Sequence, residues 1–214
     1  MVNYNTVQFK SARDALNQIA QYVRDPEHLQ TGKPIEKFGG LRPRELLANW
    51  LICAAFNEHN GTPERVTFIA DGKGTDETFG DGILYDTESK ETFPTEHVIV
   101  PIPREEKVPD IEARILKAIN DKNDKGGPAY ARGKTLVVFL NDGRGLLWFP
   151  NKVAKALPNP FHFPVAWVAG LHTHNAETGE YAYFASMLQL VDGNAPTFII
   201  RTTDFDKWTF EQTQ

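Results

Sequence analysis

Apolar residues in the first part of the chain fall at helical spacing. In "SARDALNQIAQYVRD", Ala15, Leu16, Ile19, Ala20 and Val23 share one side, with Ser11 placed as an N-cap and Pro26 as a terminator. "RPRELLANWLICAAFNEHNG" is the clearest helix: Pro43 suits its first turn, Leu46, Leu47, Trp50, Leu51, Ala54 and Ala55 make a broad apolar face, and Gly61 stops it. The stretch "PEHLQTGKPIEKFGG" between them reads as a loop rich in Gly and Pro. The period then shortens. "RVTFIA" (65–70), "GILYD" (82–86) and "HVIVP" (97–101) are strand candidates, the third ended by Pro101 and Pro103.

A further helix is predicted in "PDIEARILKAINDKND", with Ile111, Ile115, Ala118 and Ile119 on one side and Gly126–Gly127 ending it. "KTLVVFLND" (134–142) is a continuous apolar run, the pattern of a strand buried on both faces. Beyond it "GLLWFP" reads as a strand and "NKVAKALP" as a short helix. "PVAWVAGLH", "YAYFASMLQLV" and "TFIIRTTD" read as further strands. The order of elements predicts an α/β sheet covered on both faces. One domain is expected, with a helix and loop over 1–40, a core over 41–142 and a β-rich extension over 143–214.

Composition narrows the class. Cys53, the single cysteine, lies in the apolar run "LANWLICAAF", so neither an internal disulfide nor a cysteine-based zinc site is available. The first residues lack a signal-length apolar core, and no run approaches the ~20 apolar residues of a membrane span. A cytoplasmic protein without a membrane partner is expected. A formal charge of −5 argues against strong non-specific DNA binding, although it leaves room for a local basic patch. The aromatics after residue 147 (Trp148, Phe149, Phe161, Phe163, Trp167, Tyr181, Tyr183 and Phe184) have few basic residues among them. They suit a second core, a pocket or a homo-oligomer interface.

Candidate chemistry gathers in "GDGILYDTESKETFPTEHVIVP". Asp81 and Glu96 head neighbouring strands, which lie about 4.8 Å apart in a sheet. Mg²⁺ takes one or two protein carboxylates, with waters and substrate phosphate completing its octahedral shell. Each residue also has a structural reading. Asp81–Gly82 is a turn dipeptide, Glu96 suits an exposed sheet edge, and Glu45 suits the first turn of its helix. Lys117, Lys122 and Lys125 fit a solvated helix end. Asp76 and Asp86 are rival acids, Asp86 with the look of a hairpin-turn residue.

The order helix, three strands, helix, strand over residues 43–141 resembles the core of the PD-(D/E)XK, or restriction-endonuclease-like, nuclease superfamily. The resemblance implies an αβββαβ core in which Glu45, Asp81 and Glu96 hold Mg²⁺ or Mn²⁺ and a lysine two residues after Glu96 assists the reaction. Position 98 is valine. In this superfamily the basic residue sometimes sits on a neighbouring element, so Lys90 on the hairpin and Lys122 on the second core helix become catalytic candidates. The implied function is a divalent-metal phosphodiesterase acting on DNA or RNA. Val98 leaves open a nuclease-like fold that no longer cleaves and serves as an interaction module. A third reading is a zinc hydrolase using His172 and His174 in "GLHTHN", two apart on a strand and so on one face. That pair resembles the His-x-His of JAMM-type metalloproteases, but Tyr183 and Ser186 stand where the serine and aspartate are required.

Overall fold

The computed structural model describes residues 8–71, 81–101, 110–141, 145 and 147–214. Strand β1 (Gln8–Lys10) leads into α1 (Ala12–Val23), whose N-terminus is capped by the Ser11 side chain accepting from Asp14 N–H. Pro26 does not end this helix. It opens α2 (Pro26–Thr31), capped by Asp25, so the expected loop contains a helix and a 3₁₀ turn at Glu36–Phe38. Proline is a start signal at the first helical position as well as a stop signal beyond the last.

Helix α3 (Pro43–His59) is buried around almost its whole circumference. An apolar helix of that kind needs partners on every side. It finds them in α1, in the antiparallel hairpins of β2 (Val66–Asp71), β3 (Ile83–Asp86) and β4 (Thr92–Ile99), and in later strands. Trp50, fully buried, donates its indole N–H to Ala12 O at 2.6 Å and ties α3 to α1.

Strand β4 begins at Thr92, five residues before the expected start, and runs through Pro94. Glu96 therefore lies inside the strand and not at its mouth. Helix α4 (Ile111–Ala131) then crosses to β5 (Thr135–Phe139), which pairs with β4 in parallel. The long helix does end at Gly126–Gly127, where Gly127 leaves helical geometry at φ +62, and after Pro128 a separate short turn runs to Ala131.

A second crossover through α5 (Pro150–Lys155) leads to β6 (Val165–Asn175), parallel to β5. Strands β7 (Glu180–Met187), β8 (Thr197–Thr202) and β9 (Thr209–Gln212) complete the sheet as an antiparallel meander. Residues 147–149, expected as strand, are irregular. Among the described residues nine strands lie in chain order, so each pairs with the next.

One face of the sheet packs α1 and α3 in a core that includes Trp50, Phe68, Val137, Phe139 and Tyr183. The other packs α4 and α5 around Ile115, Ile119, Leu136, Val138 and Phe163. The late aromatics divide between these two cores, apart from Phe149, which is exposed. The fold is mixed α/β with both faces of the sheet covered, and residues 43–139 follow the order α-β-β-β-α-β. Among the described residues no helix is long and apolar enough to cross a membrane.

Candidate functional site

Strand β4 changes partners midway. Its first part pairs with β3 through Thr92, Phe93 and Pro94, and its second part pairs with β5 from Thr95 to Ile99. Asp81 sits in the notch where β3 leaves. Asp81 N–H donates to Thr95 O at 2.9 Å and Thr95 N–H to Gly82 O at 2.8 Å. The next free ladder donor, His97 N–H, goes to the Asp81 side chain at 2.8 Å. Asp81 thus ends the hairpin ladder with its own carboxylate, and one oxygen, Oδ2, is spent on that bond. Gly82, at φ +146, keeps the turn tight: a Cβ there would run into the Asn49 amide and lie 3.0 Å from Thr95 Oγ1.

Alternation along β4 places Glu96, Val98 and Val100 toward α4, and His97 and Ile99 toward α3. Val98 packs into the α4-side core and gives Glu96 no countercharge. Lys122 supplies one. The stripe Ile111, Ile115, Ala118, Ile119 continues at helical spacing to Lys122, which therefore faces the sheet and not solvent. Its ammonium is bonded directly to Glu96 Oε1. Lys117, off that stripe, makes an exposed pair with Asp121 at 2.6 Å and belongs to the solvated face.

Two residues that sequence reasoning passed over complete the cluster. Lys134 Nζ lies 3.5 Å from Glu96 Oε2, and Tyr130 shares a side-chain hydrogen bond with Glu96. The signal was the break. Glycine at 126 leaves room for the Tyr130 ring, which a Cβ there would overlap, and the Gly127–Pro128 break separates the last turn from the long helix. The Tyr130 ring then lies under the Lys134 ammonium, 3.9 Å from ring centroid to nitrogen.

The electrostatics follow from this packing. Burial alone pushes Glu96 up, but the hydrogen bonds from Lys122 and Tyr130 and the charges of Lys122 and Lys134 outweigh it, leaving Glu96 below the ordinary carboxylate range. Asp81 is raised, first by burial and then by the neighbouring charge of Glu96, against the His97 N–H bond and the charges of Lys122 and Arg44. The Glu45 carboxyl is raised as well, first by burial and also by Asp81. As the third residue of α3 it accepts Arg42 N–H at 2.8 Å, and it lies 3.5 Å from Arg44. His97, fully buried, is lowered to about 3 by burial and by Arg44 and Lys122, so it is neutral. Its Nε2 lies 3.2 Å from Asn49 Oδ1, while its Nδ1 is buried without a partner.

The structure brings Asp81, Glu96 and Lys122 to one notch, with Glu45 coupled to Asp81 from α3. Lys90 is not brought there. It sits at the far end of the β3–β4 hairpin, donating to Thr87 O at 2.5 Å. Asp86 is the turn residue it resembled: it holds Arg65 through two contacts near 3 Å and accepts from Glu88 and Ser89 N–H. Asp76 lies outside the described residues. His172 and His174 do not share a face by simple alternation, because a bulge shifts the β6 register between Leu171 and Thr173. The His174 ring stacks on Tyr181 at 4.2 Å, and His172 feels Arg201. Among the described residues no three of His, Cys, Asp and Glu gather as a metal set.

Comparison of the chain with protein-family models, with curated proteins and with solved structures finds no match in any of the three.

Proposed function

We propose that this chain is a divalent-metal-dependent phosphodiesterase acting on nucleic acid, with a restriction-endonuclease-like core from α3 to β5. The observation that carries the reading is the Lys122 ammonium bonded to Glu96 beside Asp81, on the sheet face where Val98 offers no cation. Hard divalent cations take one or two protein carboxylates and keep several waters, which a notch with two acids fits. Asp81 retains an oxygen with no hydrogen bond to any described residue, and its pKa is raised, first by burial and then by the charge of Glu96. Mg²⁺ or Mn²⁺ bound there supplies Lewis acidity toward a phosphoryl oxygen and toward water.

Asp81 and Glu96 would hold the ion, and Glu45 adds negative potential from the α3 side. Lys122, anchored by the helix stripe, orients an attacking water and stabilises charge growing on the phosphate. His97 and Asn49 keep the Asp81 turn fixed, through His97 N–H on the carboxylate and the Asn49 amide on Asp81 O at 3.4 Å.

The test is incubation of supercoiled plasmid, circular single-stranded DNA and a structured RNA with wild-type protein in Mn²⁺, Mg²⁺ or EDTA. Cleavage of at least one substrate, abolished by EDTA and by Asp81→Asn or Glu96→Gln, is expected. Cleavage that survives either substitution, or none by the wild type, overturns the proposal. A second reading, an inactive nuclease-like interaction module, draws on the charge balance at Glu96, where two lysines and a tyrosine already occupy both oxygens. Absence of cleavage with retained nucleic-acid or protein binding would favour it.

A further inference from the structure

The two lysines on Glu96 are not equivalent. Lys122 is bonded directly to the carboxylate and lies 5.5 Å from the Tyr130 ring centroid. Lys134 stands off at 3.5 Å, longer than a charge-assisted hydrogen bond of about 2.8 Å, and has its own seat 3.9 Å over the Tyr130 ring. A cation over an aromatic face is attracted by the ring itself. Lys134 therefore has a second contact besides Glu96; its side chain is 17% exposed and Tyr130 beside it 36%. Asp81 and Glu96 are matched by Lys122 and Lys134, so these four groups are neutral together. Adding a divalent cation gives the notch a surplus of two positive charges, which calls for an anionic ligand.

We propose that Lys134, held across the Tyr130 ring, is a phosphate-binding residue of this site, engaging a nucleic-acid phosphate once Glu96 is occupied by a divalent cation. The inference rests on the metal-site reading above and adds a substrate contact to it. It assigns distinct roles to the lysines: Lys122 acts at the reacting phosphate, and Lys134 binds the strand. Arg44 lies on the α3 side and Lys117 on the solvated face of α4, so neither shares the Tyr130 seat.

The test uses a fluorescein-labelled single-stranded DNA 12-mer, its anisotropy read in Ca²⁺ across a salt series, with calorimetric Mn²⁺ titration of the same proteins. Lys134→Gln is expected to weaken the 12-mer about tenfold and to lower the salt slope by about 0.7, the share of one phosphate on a single strand. Its Mn²⁺ affinity stays equal or rises, because Glu96 loses a competitor. Lys134→Arg restores binding, and Tyr130→Leu, which removes the seat, weakens it in the same direction. Wild-type binding and slope in Lys134→Gln overturn the inference, as does a wild type that does not bind the 12-mer. A Lys134→Gln binding defect without cleavage by the wild type removes the hydrolase reading and leaves the phosphate site standing. Cleavage with unchanged KM and binding in Lys134→Gln does the reverse.

Discussion

Lys122→Met isolates the cost of leaving Glu96 short of a partner. The Lys122 side chain is 19% exposed and that of Glu96 8%, so the pair is poorly screened. Removing one partner of a buried pair costs roughly 3–5 kcal/mol when nothing else meets the stranded charge. Here Lys134 and the Tyr130 hydroxyl remain, and the expected loss at pH 7 is about 2 kcal/mol. The pH dependence gives the sign. In the wild type the folded pKa of Glu96 is depressed, so its contribution is present above the unfolded value and lost as pH falls through the folded one. In the variant burial dominates and the pKa is raised, so charged Glu96 opposes folding until it is protonated. Urea unfolding should therefore show a deficit that is largest near neutral pH and shrinks toward pH 4. A deficit that is flat with pH, or under about 0.5 kcal/mol, refutes the reasoning.

Other positions give independent checks. Gly170 faces the Leu140 backbone so closely that a Cβ would overlap its carbonyl; Gly170→Ala should cost about 3 kcal/mol in chemical denaturation, and a neutral result would mean that β6 does not approach there. Asp86, with its pKa lowered to about 2 by the Arg65 hydrogen bond, contributes stability above the unfolded value that is lost as pH falls toward 2. Asp86→Asn should cost about 1–2 kcal/mol at pH 7, allowing for the exposure of Arg65, and the gap to wild type should close near pH 2. His97, lowered to about 3, takes no proton in the folded state at pH 5, whereas the unfolded chain does. Stability should fall as pH drops below about 6.5, and His97→Gln should flatten that slope in denaturation curves read between pH 6.5 and 4.5.

The fold was legible where one period ran long enough. The α3 run, the β5 run and the Ile111–Ile119 stripe each carried a dominant pattern, and together they fix the α-β-β-β-α-β order. What escaped was short or double-valued. Pro26 could stop one helix or start another, and Asp25 before it decided for a start. Strand β4 hid its first half, which contains Pro94 and pairs only with β3, on the side where β5 has not yet joined. The short strands β1 and β9 are too brief to show alternation. At the site, Asp81 and Glu96 stood out as acids beside apolar strands. The role of Lys122 lay in its phase on α4, since the spacing from Ile115 and Ile119 turns it toward the sheet. Lys134 and Tyr130 lie beyond the helix end at Gly127, on a short turn and loop with too few residues to show a pattern.

The most direct test of the central claim is calorimetric titration of Mn²⁺ into wild-type protein and into Asp81→Asn at pH 7, with both shown by circular dichroism to be folded. The account predicts a saturable binding heat in the wild type that Asp81→Asn abolishes. Matching heats in the two proteins, or none in either, would contradict it.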